Sequence, residues 1–306
     1  MGPSHAVRRG GIDRDIERWY GSPPMTTMTA ALPGVDLEAF RSVQQLAYRC
    51  AEVTAAALEP GVTEREVCRR MKRYLLDHGV DDWFHVPFAW FGDRTAFRGF
   101  KVPVQFLPTN RRLEEGMPYI LDCAPVMRGA TADVGFAGAI GGNAVLDRML
   151  DDLAAHRALI LDLVRDRRTF AEIYAEVDAL AAAQGFENRH RKYPGHVLAH
   201  EVRPLAKHRG HGRAGPFGLR HLQSLGRGLA VGRRQGWSPL WNGGRRSAHA
   251  PHPGLWAVEP HLGFRDVGAK FEELLVITDD DAFWLDDDLP HVRRWQARGV
   301  IDGRAS

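Results

Sequence analysis

From about residue 37, apolar positions recur at helical spacing, and "DLEAFRSVQQLAYRCAEVTAAALEPG" predicts one long helix that Pro60 and Gly61 end. Thr63 opens a second helix, "EREVCRRMKRYLLDHG", with Glu66 completing a capping box and Gly79 as the terminating glycine. The same grammar returns in the second half. "NAVLDRMLDDLAAHRALILDLVRD" predicts a long helix over 143–166 with Asn143 as its cap, and Thr169, Glu172 and Gly185 then repeat the box and the stop. All three lie at one common offset from Thr63, Glu66 and Gly79, which predicts a duplicated helix–helix–sheet unit. Strands follow each helix pair: "HVPFAWFG" and "YILDCAPVMRGATADVGF" in the first half, "LWAVEPHLGFRDVGAKFEELLVIT" in the second. No low-complexity tract separates the halves. The expectation is one α+β domain over about 36–290, preceded by a disordered leader over 1–35 and followed by a tail over 291–306.

The strands carry carboxylates where apolar residues belong. Asp122, Asp133, Glu259 and Glu272 each sit in or beside a hydrophobic run, and an unpaired buried carboxylate is costly. A turn over 126–129 would set Asp122 directly opposite Asp133, and a turn over 264–267 would set Glu259 opposite Glu272. Opposed residues on one face have Cβ atoms about 4.5–5.5 Å apart, where like charges repel. Two such pairs are accounted for by cations between them, and four carboxylates can hold two ions about 3.5–4 Å apart. Oxygen-rich ligation suits Mn²⁺, Co²⁺, Fe²⁺ or Zn²⁺. Borderline metals also recruit imidazole, and "YPGHVLAHEV" offers His196 and His200. The HExxH signature is absent, and Pro194-Gly195 argue for a loop or strand there.

Bulk properties narrow the class. At 306 residues, 44% hydrophobic and 26% charged, the chain is an ordinary globular protein, and a net charge of +3 is too weak to argue for nucleic acid as a partner. Three cysteines without a CxxC motif fit a reducing, cytoplasmic setting, and no apolar run is long enough to span a membrane. The start of the chain has no secretory h-region. Between Glu201 and Glu259 there is no acidic residue, while arginine recurs. Its glycines, prolines and two tryptophans predict a loop-rich basic insertion over about 203–254 rather than a core helix. It reads either as a solvated surface or as a pocket wall for an anionic substrate.

These residues resemble the pita-bread metallopeptidases, the family of methionine aminopeptidase, aminopeptidase P and prolidase. The resemblance covers roughly 37–290 and rests on the order of the acids, on "HVLAH", "VEPHLG" and "AKFEELLVIT", and on "LEPGVTEREV" at the helix junction. It implies two pseudo-symmetric halves around a curved antiparallel sheet. It also implies the metal ligands Asp122, Asp133, His200, Glu259 and Glu272: Asp122 on one ion, Asp133 and Glu272 bridging both, His200 and Glu259 on the other. The implied cofactor is two divalent ions, manganese first, with Co, Fe or Zn as alternatives. The implied reaction is cleavage of an amide bond in a small peptide by a metal-bridging hydroxide, with Glu259 moving the proton. His196 would lie near substrate and His208 would stabilise the intermediate; the assembly is left open, a homodimer being one option. Two departures stand out. "FGDRTAFRGFKVPVQF" lacks the histidine that the family places after its first strands, His85 lying too early, and the N-terminal domain of aminopeptidase P and prolidase is missing. A pita-bread metalloenzyme acting on a small acidic metabolite, including one-metal iron chemistry, and an inactive binding module therefore stay open beside an Xaa-Pro aminopeptidase.

Overall fold

A computed structural model of the chain describes residues 32–205 and 213–301. Helices form where the capping residues put them. α1 (Leu37–Ala56) starts at Asp36, whose side chain accepts from the Ala39 amide, and α2 (Glu64–Asp77) starts at Thr63 with the full capping box. There Thr63 Oγ1 accepts from the Glu66 amide at 3.3 Å, while Glu66 Oε2 accepts from the Thr63 amide at 2.8 Å. Two amides that no helical carbonyl can reach are thereby satisfied. β1 (Asp82–Phe91), β2 (Pro118–Met127), β3 (Ala130–Thr131) and β4 (Val134–Ala139) follow. α3 (Ala144–Arg165), capped by Asn143, and α4 (Phe170–Ala183), boxed by Thr169 and Glu172, repeat the helix pair. Gly79 and Gly185 sit at φ 90° and 83°, a left-handed stop that glycine adopts without a Cβ clash.

The second half continues with β5 (Glu187–Asn188), β6 (Ala199–Val202), β7 (Arg213–Ala214), β8 (Phe217–Gly218), α5 (Leu219–Gln235) and β9 (Leu240–Trp241). β10 (Gly254–Val258), β11 (His261–Phe264), β12 (Val267–Lys270), β13 (Glu273–Ile277), β14 (Ala282–Trp284) and α6 (Pro290–Ala297) complete it. One antiparallel sheet runs β3-β2-β1-β8-β7 with β4 also on β2, a second runs β14-β13-β10-β6-β9, and a third runs β12-β11-β5. A bridge between Gly135 and Glu272 ties β4 to the approach of β13, so the two halves meet where the acids are. One apolar cluster, from Phe40, Val43 and Met71 through Leu121 and Ile160 to Trp256 and Leu275, packs both helix pairs against the sheets. No helix among the described residues is long and apolar enough to cross a membrane.

Two expectations fail here. The basic stretch is not loop-rich throughout, since α5 spans seventeen of its residues. Its glycines read as breakers in sequence, yet Gly232 lets the helix approach Trp237 more closely than a side chain would allow. Packing therefore offsets the poor helix propensity of glycine. The expected tail over 291–306 also begins within a packed helix, α6. α6 buries Val292 and Trp295, and Trp295 Nε1 donates to the Leu150 carbonyl at 2.6 Å.

Candidate metal centre

The first hairpin turns one residue later than expected. Arg128 and Gly129 occupy the turn at φ 54° and 90°, the double left-handed geometry whose twist matches antiparallel strands. Asp122 therefore pairs with Gly135, not with Asp133. Asp133 falls in the gap between β3 and β4, outside the ladder, where its carboxylate is free to turn inward. In the second hairpin the expected register holds. Val258 pairs with Glu273 and His261 with Lys270, which brackets Glu259 opposite Glu272.

The adjacent glutamates Glu272 and Glu273 go to opposite sides, as successive strand residues must. Glu273 turns away from the cavity and takes a bidentate pair from Arg157 at 2.7 and 3.1 Å, with His291 Nε2 at 3.0 Å. Glu272 turns in and lines the cavity with Asp122, Asp133 and Glu259. All four acids are buried.

Two imidazoles and one ammonium meet these acids. His85 Nε2 lies 3.0 Å from Asp133 Oδ1 and 3.2 Å from Asp122 Oδ1, so the histidine set aside as too early stands at the centre of the cluster. The β1 ladder steps twice between Trp83 and Phe88, around Pro87, and such a bulge re-aims side chains. The proline inside "FHVPFAWF" is the sequence signal for it. His200, on β6, places Nε2 3.3 Å from Asp133 Oδ2. Lys270 Nζ lies 2.7 Å from Asp122 Oδ2, 2.9 Å from Glu259 Oε2 and 2.8 Å from Glu272 Oε2. Sequence reasoning misses Lys270, although alternation along "GAKFEE" places it on the same face as Glu272.

The charges bear on one another. Burial pushes Asp133 upward, but the charge of His85 and hydrogen bonds from both imidazoles hold its carboxyl far below the usual range. Burial lowers His85, and its pairing with Asp133 outweighs that, lifting it to about 9. His200 is raised by Asp133 against the same burial. Burial keeps Glu259 above the usual carboxyl range despite Lys270, and burial with the charges of Asp133 and Glu259 lifts Glu272 further.

The donor set fits a divalent ion. His85 Nδ1 is 2.9 Å from the Val86 carbonyl and His200 Nδ1 is 3.4 Å from that of Glu201. A carbonyl only accepts, so each ring spends its Nδ1 proton there and turns Nε2 toward a carboxylate. Nε2 then donates a proton to Asp133, and a cation could take the place of that proton between ring and carboxylate. Nδ1 bonded to a carbonyl is the arrangement that metal-binding histidines adopt. His85, Asp122 and Asp133 bring ligand atoms within 4.8 Å of one another, and Asp133, His200 and Glu272 do the same.

The remaining candidates lie elsewhere. His196 is exposed at φ 53° and lines an open surface cleft with Arg191 and Lys192, apart from the acids. Its left-handed backbone, just after Pro194-Gly195, turns the side chain out before β6 carries His200 in. His208 lies outside the described residues. His200→Ala is accordingly expected to weaken metal binding at least tenfold, whereas His196→Ala leaves it unchanged, as competition with a chelating dye would measure.

The acids floor a cavity of about 280 Å³ whose walls include Phe84, Phe88, Trp90, Phe106, Val197 and Phe217. Among the described residues its lining holds no arginine or lysine. The described arginines of the basic stretch thus do not form this wall.

The model of metallopeptidase family M24 matches residues 38–279. No curated protein is significantly similar to the sequence. Among solved structures, the X-Pro aminopeptidase of Thermotoga maritima aligns with a TM-score of 0.62 at 16% identity, over 85% of this chain and 63% of that one. The prolidase of Pyrococcus horikoshii aligns at 0.56 and 14% identity, over 83% and 62%. Proline aminopeptidase P II of Yersinia pestis aligns at 0.59 and 16%, over 88% and 60%. At such identities the likeness is one of fold, and the chain spans about three fifths of those proteins.

Proposed function

Since the chain belongs to metallopeptidase family M24, and its α+β fold is the pita-bread fold of that family, we propose that it is a metal-dependent hydrolase of short, apolar Xaa-Pro peptides. The observation that carries this reading is the convergence of His85, Asp122, Asp133, His200, Glu259 and Glu272 on the floor of an otherwise apolar cavity. A bound divalent ion would supply Lewis acidity, polarising a scissile carbonyl and bringing water toward ionisation near neutral pH. The mixed imidazole and carboxylate donors suit manganese, iron, cobalt or zinc, and manganese is the first choice.

The protein's own groups do the rest. Glu259 lines the cavity with a carboxyl raised above its usual range, which suits a group that takes a proton and returns it to the leaving amine. The aromatic walls offer an apolar surface for a proline ring. The cavity is at the small end of the range for ligand sites, which favours a short substrate. The names of the similar structures, X-Pro aminopeptidase and prolidase, point the same way. An acidic metabolite is disfavoured by the absence of arginine and lysine from the described lining. A cytoplasmic setting belongs to this reading, with Cys50, Cys68 and Cys123 all free thiols.

The test is hydrolysis of a panel of Xaa-Pro dipeptides with apolar, polar and acidic first residues. Cleavage should favour apolar members, stop on treatment with chelator and return with Mn²⁺. A metal-loaded protein that cleaves none of them would transfer the reading to a non-peptide substrate.

A further inference from the structure

The ammonium of Lys270 stands among three of the four acids that the two-ion expectation assigns to metal. Besides the contacts to Asp122, Glu259 and Glu272, it lies 3.0 Å from Tyr193 Oη. An ammonium has three protons, and three carboxylates account for them. The Lys270 side chain is 0% exposed, so this charge has no water to retreat to. Asp133, the fourth acid, faces the two imidazoles instead.

A second feature shows that the backbone accommodates this lysine. A Cβ on Gly135 would collide with Lys270 Cε and lie only 3.1 Å from its Cδ and 3.2 Å from its Cγ. Gly135 is not among the positive-φ residues, so its backbone conformation does not call for glycine. Close approach of the lysine stem does. The same glycine pairs with Asp122 and bridges to Glu272, which fixes the stem between two of the three acids that its ammonium meets.

We propose that Lys270 takes the place of one of the two cations, leaving a mononuclear centre in which His85, Asp133 and His200 hold a single divalent ion. The inference rests on the metal-dependent reading above and deepens it. The ammonium already supplies a positive charge to three of the four carboxylates. A second dication would have to displace an ammonium that is buried and held by three carboxylates. The space that Lys270 fills between Asp122, Glu259 and Glu272 therefore limits the site to one ion, and His85, contributed by β1, supplies the imidazole that completes it.

The experiment is equilibrium dialysis of the full chain against excess Mn²⁺, with metal counted by plasma mass spectrometry and its environment read by electron paramagnetic resonance. The wild-type chain should take one ion per chain and show the resolved hyperfine pattern of an isolated Mn²⁺. Lys270→Ala removes both the charge and the stem, and should admit a second ion with a signal broadened by coupling between neighbours. His85→Ala should weaken binding of the single ion at least tenfold. Two ions in the wild-type chain overturn the proposal whether or not the variant folds, and so does a folded Lys270→Ala chain that still takes one. Absence of any ion from both proteins would overturn the metal-dependent reading as well, which separates the two failures.

Discussion

Asp133→Ala is expected to leave the purified protein without bound metal and without hydrolytic activity. Asp133 is the acid that meets both imidazoles, at 3.0 Å from His85 and 3.3 Å from His200, and it belongs to both groups of ligand atoms. Its loss removes a donor and also the charge that orients the two rings. Mutation of a merely orienting neighbour costs about 10–100-fold in metal affinity, so loss of a shared ligand should cost at least about 100-fold. Metal content by plasma mass spectrometry, wild type beside variant and both purified without chelator, measures it directly. Circular dichroism on the same samples separates ligand loss from unfolding. A folded variant that keeps its ion and its turnover would remove Asp133 from the centre.

Neighbouring glutamates should fail in different ways. Glu273→Ala leaves the Arg157 guanidinium buried without its bidentate partner, and breaking such a pair by removing one member costs about 3–5 kcal/mol. In a domain of this size that lowers the thermal midpoint by roughly 10 °C. The folded fraction should bind metal normally, because Glu273 points away from the cavity. Glu272→Ala should behave in the opposite sense: it loses a carboxylate that lies beside Asp133 and His200, which weakens metal binding, while Lys270 keeps Asp122 and Glu259 as partners, so most of the thermal stability remains. Its carboxyl sits in a crowd of like charges that removal relieves. Thermal unfolding monitored by fluorescence, run with and without Mn²⁺, distinguishes the two. Equal losses of stability from both substitutions would mean that the strand does not sort them onto opposite faces.

Much of this architecture is legible in short stretches of the chain. Thr63 with Glu66 and Thr169 with Glu172 mark both helix pairs, because a capping box is written within four residues and acts within one turn. The second hairpin is legible because its turn lies where the polar "RD" interrupts the apolar run. The first is displaced by one residue because Met127-Arg128-Gly129 offers two turns of similar local chemistry. Strand twist favours the one with both central residues left-handed. Position along the chain argues against His85, yet its partner Asp133 is 48 residues away and only the bulge at Pro87 decides which way the ring faces. The helical character of 219–235 is hidden for a similar reason, since glycine reads as a breaker until a close neighbour requires it.

The chain's local patterns are thus enough to establish the repeated halves, the strands bearing Asp122, Asp133, Glu259 and Glu272, and the need for a cation among them. Burial of charge in an apolar strand is a local fact with an energetic consequence wherever that strand ends up. Which cationic groups come to those acids is decided by folding. Lys270 reaches Asp122 across 148 positions, over a glycine on another strand, and His85 reaches Asp133 through an irregular ladder. Such meetings depend on register, bulges and the close approach of distant backbones, none of which any single segment of sequence encodes.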